Sequence, residues 1–546
     1  MKKIKPVAFW PPVVLFVAAC IYNFADNDGF SYMINTANTW LMTNFAWAFC
    51  LGVLFMLGVV LFVMFSKFGN VRIGGRNAIP MLDNARYFSI TLTSIIAIGI
   101  LFWATSEPLY HLTAPPESLH LKPGSPEAVV FSMSTLFIHW GFLPLAIYAV
   151  PSIMFAFAFY NMKHPYTLGS TLTPIFGSRI LGKWSQGIDA VCMYALIAGM
   201  SASLGTGVLS IAGGLKYLTG IQTGAFLWAV VDLAVVATFV ISSITGLFNG
   251  IKKLSEINFG VFIALALFVF VFGPTAFMLN LGVEAFANHL QTFFTKASFT
   301  GAAADDPWAG WWTIFYWCNW LAWAPISGMF LGRISYGHTV RKALTVLFVL
   351  PALFDIIWMT IFGGAAIKLE LAGGKLSEAL SAGPEFAVYE FLGHYPVASL
   401  TIPVFIFCMF LSYVTGSDAY TTTLGGMSTS GISPEDPEPS MWMKIFWGIL
   451  IGLVTWVMIT TAGVNGVKML SNLGGGPALI LELLICVSLI KVAINPRKYD
   501  FYQQDYLEDG TPIRSVSKKA IMSESAVKEY VEENLTVPEE NQHKTD

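Results

Sequence analysis

Residues 308–337 read WAGWWTIFYWCNWLAWAPISGMFLGRISYG, a run dense in indole and phenol rings. Its tryptophans fall into two groups. Trp308, Trp311 and Trp312 sit at one end, where the aromatic belt of a membrane–water interface accounts for them. Tyr316, Asn319, Trp320 and Trp323 recur at i, i+3, i+4 and i+7, one face of a helix, before Pro325 and Gly328 interrupt it. A second aromatic group lies at His139-Trp140-Gly141, with Tyr148 following and Pro144 and Pro151 distorting the same segment. Ring faces brought together suit one ligand chemistry. A quaternary ammonium has no N–H to donate, so ring faces must hold it, through cation–π attraction of about 2 kcal/mol when desolvated. An aromatic packing stripe would give the same spacing in the first segment alone; the second group tips the reading toward a cation cage.

Three other segments place hydroxyls beside glycine. They are Thr91, Thr93 and Ser94 before Gly99, with Thr105-Ser106-Glu107-Pro108 beyond; Ser201-Ala202-Ser203-Leu204-Gly205-Thr206-Gly207; and Thr415-Gly416-Ser417-Asp418-Ala419-Tyr420 followed by Thr421, Thr422 and Thr423. Helices broken at such points expose carbonyls and hydroxyls able to ligate a hard cation such as sodium. Asp418 is an acid within an apolar span, a functional candidate by default, with a solvated helix end or an internal hydrogen bond as the equal alternative. Asp189, Asp232, Asp355 and Glu482 are further acids in or near spans, and the sequence does not rank them. There is no HExxH, Walker loop or nucleophile elbow, and the eight histidines do not fall at metal-ligand spacing. His139 could carry a proton; a packed, hydrogen-bonded histidine is the favoured reading. No enzyme, cofactor or bound metal is expected beyond a hard cation such as sodium at the broken helices.

The elements that must position these residues follow from composition. The chain has 546 residues, is 55% hydrophobic and is only 12% charged, roughly half the charged share of a soluble domain; its mean hydropathy is +0.65. Lipid is therefore the solvent, which excludes soluble multidomain, secreted and disordered classes, and a net charge of −3 offers nothing to nucleic acid. The six cysteines lie in apolar stretches without CxxC spacing and read as packing thiols. The basic start lacks a cleavage site and leads into further spans, so it reads as a retained first helix. Twelve spans are expected, near 8–25, 45–66, 87–106, 130–160, 187–212, 225–249, 257–281, 312–335, 341–365, 397–427, 443–463 and 469–494. Basic residues fall on alternate connections (67–86, 161–186, Lys252-Lys253 and Arg333/Arg341/Lys342), while loops such as 25–44 are poor in base. Both termini are thus expected in the cytoplasm of a cell whose plasma (inner) membrane holds the chain. Residues 283–296, with Val283, Phe286, Leu290, Phe293 and Phe294 on one face, predict a helix lying in the interface. The tail from Asn495 is charged and net acidic, which predicts a solvated extension with a short helix around 520–535.

The run Trp312–Trp317 followed by Gly328–Ser335 resembles the signature of the betaine/choline/carnitine transporter family. The likeness extends to His139-Trp140-Gly141, Glu107-Pro108, Gly250–Lys253 and Thr415–Asp418, so it covers nearly all the spans. It implies an all-α polytopic membrane protein of 12 transmembrane helices: two inverted, LeuT-like five-helix repeats (81–282 and 301–494) preceded by two N-terminal helices (1–80). An interfacial helix (283–300) separates the repeats, and a cytoplasmic tail (495–546) closes the chain. It also implies a trimer that imports a small quaternary-ammonium, sulfonium or related zwitterionic compound. The carried-over aromatic box is Trp140, Tyr148 and Trp320, with Trp323 and Phe330 lining the path and Tyr110 joining it in carnitine-type members. Two positions depart from the pattern: Leu145 stands where many members have a box tryptophan, and Asn319 replaces the first of paired tryptophans, so the expected cage is less aromatic and Asn319 is expected to bond a substrate carboxylate. For sodium, the resemblance points to Thr93, Ile96, Ser203 and Thr415, with Gly416 at the expected serine. Proton-coupled members carry an acid where Gly99 stands, and exchangers an arginine at Asn258, so sodium symport is expected over proton coupling or substrate exchange. A lipid-modifying membrane enzyme would need acids or histidines clustered at one face, and a passive amine channel would not concentrate its substrate.

Overall fold

The computed structural model describes residues 3–95, 97–244, 247–432 and 439–513. Hydrocarbon offers no partner for backbone N–H and C=O groups, so a spanning chain closes those bonds within its own helices. Among the described residues there are accordingly only isolated β-bridges besides helix. We number the helices that matter here: α1 (Pro6–Ala25), α2 (Asn27–Phe65), α3 (Asn84–Ile95), α4 (Ala97–Thr113), α5 (Pro126–Trp140), α6 (Phe142–Ala156), α7 (Lys183–Thr219), α8 (Ala225–Ile244), α9 (Leu247–Phe272), α10 (Thr275–Ala297), α11 (Thr313–Ile334), α12 (Leu350–Leu371), α13 (Ala398–Ser428) and α14 (Met441–Ile494). Among the described residues, eight helices are long and apolar enough to cross a membrane, nine with the bent α3–α4 pair taken as one span.

Burial sorts them into a centre and a lipid face. The most apolar 18-residue windows of Pro126–Asn161 and of α7 are each 94% buried, against 39% for that of α1, so α5, α6 and α7 belong to the centre. Exposed Trp10, Ile21, Phe24, Leu51, Phe226, Leu233 and Val271 turn outward from α1, α2, α8 and α9, as a hydrocarbon solvent permits.

Several expectations are corrected. The basic-poor stretch 25–44 is not a loop: α2 begins at Asn27, and Asp26 caps it by accepting from Gly29 N at 2.9 Å. α7 and α13 run unbroken through 201–207 and 415–420. α11 likewise continues past Pro325 and Gly328. The glycines there serve close approach, not breakage. A Cβ on Gly328 would lie 2.5 Å from Pro151, one on Gly332 2.6 Å from the Ser152 carbonyl, and one on Gly207 1.7 Å from the Tyr413 ring. The break in the fourth expected span falls at Gly141 (φ −87°, ψ −129°), directly after Trp140.

Over the two expected spans 443–463 and 469–494, by contrast, two helical stretches meet at non-helical dihedrals at Ala462 and Gly463, the latter at φ +53°. Ile459 and Val467, on either side of that kink, both meet Gly205, whereas Gly474 meets Ala195 and Ala198 further back along α7. The chain therefore reverses direction at the kink. The helix expected in the interface begins at Thr275, after Gly273-Pro274, earlier than expected. Val283, Phe286, Leu290 and Phe294 are exposed along one side of it while His289 and Ala285 are buried.

The tail also differs from expectation over its first part. Asp500 and Tyr506 are buried, and Asp500 Oδ2 accepts from Asn161 Nδ2 at 2.9 Å and from the Tyr506 hydroxyl at 2.6 Å. Phe501 N donates to the Asn161 carbonyl at 2.9 Å. Burial pushes the Asp500 carboxyl above its ordinary range, against the pull of these bonds. The expected helix at 520–535 lies outside the described residues. Asp500→Ala leaves two buried donors unpaired, at ~1–3 kcal/mol each. It is expected to speed amide hydrogen exchange across residues 501–513, read by mass spectrometry, while exchange within α5 and α6 stays unchanged.

Candidate functional site

The break at Gly141 ends α5 on His139 and Trp140 and places them against α4 and α11. There Glu107 of α4 is fully buried. Its Oε2 accepts from Trp140 Nε1 at 2.7 Å and from the Tyr316 hydroxyl at 2.5 Å. Its Oε1 is 2.6 Å from His139 Nδ1 and 3.1 Å from His111 Nε2. His139 Nε2 meets Thr313 Oγ1 at 3.0 Å, and the His139 carbonyl accepts from Trp320 Nε1 at 3.1 Å. His139 is thus the packed, hydrogen-bonded residue expected. The ligand atoms of Glu107, His111 and His139 lie within 4.8 Å of one another, but the two indole and phenol donors already occupy half of the carboxylate, so the set reads as a hydrogen-bonding hub.

Rings pack around this hub edge to face. Trp140 meets Trp320 at 5.4 Å between centroids and Tyr316 at 5.4 Å, and Tyr148 of α6 meets Trp320 at 5.2 Å. Trp140, Tyr148 and Trp320 are therefore brought together. Trp323 and Phe330, about one and three turns further along α11, converge on Tyr420 of α13 at 4.7 and 6.2 Å. The Tyr420 hydroxyl in turn donates to the Ser94 carbonyl at 3.0 Å. Two expected members stand apart. Tyr110 packs on Trp312 at 5.2 Å in an outer cluster. Asn319 faces α14, where its Oδ1 accepts from Ser471 Oγ at 2.6 Å. Leu145 is fully buried.

Of the residues expected at a cation, Thr93 and Thr415 are buried, with hydroxyls donating to the carbonyls of Ser89 (2.9 Å) and Leu411 (3.0 Å) on their own helices. The Ser203 carbonyl accepts from the Tyr413 hydroxyl on a different stretch of contact, between α7 and α13. Ile96 lies outside the described residues. Asp418 is buried on α13. Asp189 Oδ1 accepts from Thr167 Oγ1 (2.6 Å) and Leu168 N (3.0 Å), while Oδ2 has no hydrogen bond and lies 3.8 Å from Lys5 Nζ. Asp355 and Glu482 are buried with neither carboxylate oxygen hydrogen-bonded. Asn258 Nδ2 donates to Ser412 Oγ at 2.9 Å.

A helical membrane bundle with rings gathered at its buried centre is the architecture of a transport protein. The chain belongs to the betaine/carnitine/choline transporter family, whose model matches residues 7–498. It is 30% identical over 468 residues to a probable glycine betaine transporter of Desulfitobacterium hafniense, covering 85% of this chain and 92% of that one. It is 29% identical over 494 residues to the glycine betaine transporter OpuD of Bacillus subtilis (90% and 94% covered). It is also 29% identical over 526 residues to the betaine/ectoine transporter LcoP of Corynebacterium glutamicum (95% and 80% covered). The protein is a membrane transporter and not an enzyme.

Sequence reading missed the roles of His111 and Tyr316 in the hub. The spacing of Glu107 and His111, four apart on one helix, was the available signal. Gly99 gives a test of the packing. A Cβ there would lie 2.5 Å from the Trp140 ring, and overpacking of this kind costs ~1–3 kcal/mol. Gly99→Ala is expected to lower stability by that amount in the wild-type background and by much less beside Trp140→Leu. A double-mutant cycle on thermal unfolding in detergent reads the coupling.

Proposed function

We propose that this protein is a secondary active transporter importing a small quaternary-ammonium, sulfonium or related zwitterionic compound, by sodium symport with alternating access. The observation that carries this reading is the convergence of Trp140, Tyr148 and Trp320 from three helices, with centroids 5.2–5.4 Å apart. The three rings pack edge to face on one another, and a methylated cation entering between them would meet several aromatic faces at once. Relatives support the substrate class: transporters of glycine betaine, of betaine/ectoine and, at 28% identity over 493 residues, an osmo-dependent choline transporter of Acinetobacter baylyi. Trp323, Phe330 and Tyr420 continue the aromatic path, and Asn319 offers its amide nitrogen to a substrate carboxylate from the α14 side.

Sodium coupling is the finer part of the proposal. The Thr93 and Thr415 hydroxyls donate to backbone and keep lone pairs for a cation, with Ser203 and Ile96 completing the expected set. Asn258 brings no positive charge to α13, which favours dependence on sodium over sodium-independent exchange. Twelve spans in two inverted five-helix repeats, cytoplasmic termini and a homotrimer in the plasma membrane belong to the same reading. The reversal at Ala462–Gly463 supports counting α14 as two spans.

Uptake into proteoliposomes of glycine betaine, choline, carnitine and ectoine tests it. Saturable accumulation of at least one, driven by an inward sodium gradient and lowered tenfold or more by Trp320→Ala, is expected. Indifference to sodium rejects symport; uptake only into preloaded vesicles identifies an exchanger; flux without saturation or accumulation identifies a channel. Asn319→Trp is expected to change the ranking of the four compounds, and an unchanged ranking removes Asn319 from the site.

A further inference from the structure

The central carboxylate has no part in the transport reading above. Glu107 is fully buried, and its two oxygens meet four hydrogen-bonding groups: Trp140 and Tyr316 on Oε2, His139 and His111 on Oε1. An ionised carboxylate has about four acceptor positions and nothing to donate. The indole N–H of Trp140 can only donate, so Oε2 is an acceptor. Neutral imidazoles suffice on Oε1. With its proton on Nδ1, His139 keeps Nε2 to accept from the Thr313 hydroxyl. With its proton on Nε2, His111 leaves Nδ1 bare, and that buried atom has no partner. A second proton on His111 would bury an unpaired charged N–H, which is costly. Neutral imidazoles thus meet every one of these contacts, and with Glu107 ionised the hub then carries one net negative charge.

That charge lies one hydrogen bond from a ring of the aromatic cluster. An indole whose N–H is held by an anion is richer in electron density, and its face attracts a cation more strongly. The surrounding rings already hold one ammonium. Lys468 Nζ lies 4.2, 4.7 and 5.2 Å from the ring centres of Trp312, Phe315 and Trp103, donates to the Trp311 carbonyl at 3.4 Å and interacts electrostatically with Glu107. Among the described residues no Arg or Lys lies within ion-pair distance of Glu107; the basic side chains that reach it are the two histidines.

We infer that Glu107 is the positioning and charge-selecting residue of the aromatic site: it fixes the Trp140 and Tyr316 rings, and its buried charge favours a cationic ligand over an uncharged ligand of the same shape. This rests on the aromatic-site reading of the proposed function and deepens it.

The full chain, purified and placed in lipid nanodiscs, tests it with two probes, choline and its uncharged carbon isostere 3,3-dimethyl-1-butanol. In wild type, choline is expected to bind saturably and at least tenfold more tightly than the isostere. In Glu107→Gln, choline affinity is expected to fall at least tenfold, or about 1.4 kcal/mol, while the isostere changes less than threefold. Glu107→Asp, which keeps the charge on a shorter arm, is expected to weaken both probes alike and preserve their ratio. Equal loss of both probes in Glu107→Gln, or an unchanged ratio, overturns the charge-selecting role. If Glu107→Gln does not yield a monodisperse protein, Glu107→Asp and Tyr316→Phe decide: a preserved choline preference with weaker binding of both probes supports the inference, and a lost preference or unaltered binding overturns it. Failure of wild type to bind choline, glycine betaine or ectoine overturns the aromatic-site reading itself. Binding with an intact ratio in Glu107→Gln overturns only the role of Glu107.

Discussion

A polar group inside hydrocarbon has no water to turn to, and this constraint organises the protein from the backbone to its centre. At the smallest scale it folds hydroxyls back onto their own helices: Thr93 onto Ser89, Thr415 onto Leu411, Ser152 onto Tyr148. At the largest it gathers a fully hydrogen-bonded central carboxylate, Glu107, with two histidines, a tyrosine and a tryptophan drawn from α4, α5 and α11. An unpaired ion there would be strongly unfavourable. Its four contacts fix where three helices meet and, through Trp140, where the aromatic rings face.

Glycine supplies the second organising device. In water, a glycine within a helix weakens it and often marks its end. In this bundle most central glycines lie in continuous helix and exist because another chain passes too close for a side chain. Gly328 and Gly332 let α11 lie on α6, Gly207 admits the Tyr413 ring, and Gly475 admits the Cys318 backbone. Small residues at helix crossings are the membrane's usual means of tight packing, since lipid provides no hydrophobic drive between helices. The exceptions are Gly141 and Gly463, where the backbone leaves helical geometry. Gly141 matters most for the site, because it frees Trp140 and His139 at a helix end.

The aromatic groups singled out from spacing alone divide once they are placed in space. Trp140, Tyr148 and Trp320 share one cluster; Trp323 and Phe330 join Tyr420 in another; Tyr110 belongs with Trp312 near Lys468. Asn319 lies on the same helix as Trp320 yet bonds Ser471 of α14, because a one-residue step turns the side chain by about 100°. The folded first part of the tail is a similar case: its charge pattern reads as solvated, but Asp500 finds Asn161 and Tyr506 and becomes buried.

By itself the sequence determined the solvent, the helical class, the family and the aromatic residues of interest. Each is written in local quantities that survive without a fold: charged fraction, run length of apolar residues, and the i, i+3, i+4 spacing of Tyr316, Asn319 and Trp320. Only the tertiary structure decided which glycines break helices and which admit neighbours, and that the chain turns back at Gly463. It alone brought His111 and His139 to the same oxygen of Glu107. The reason is physical. Hydrophobic periodicity specifies that a face is buried, whereas the partner of a buried polar group is chosen by whichever helix packs against it, and that choice spans distances in sequence that no local pattern encodes.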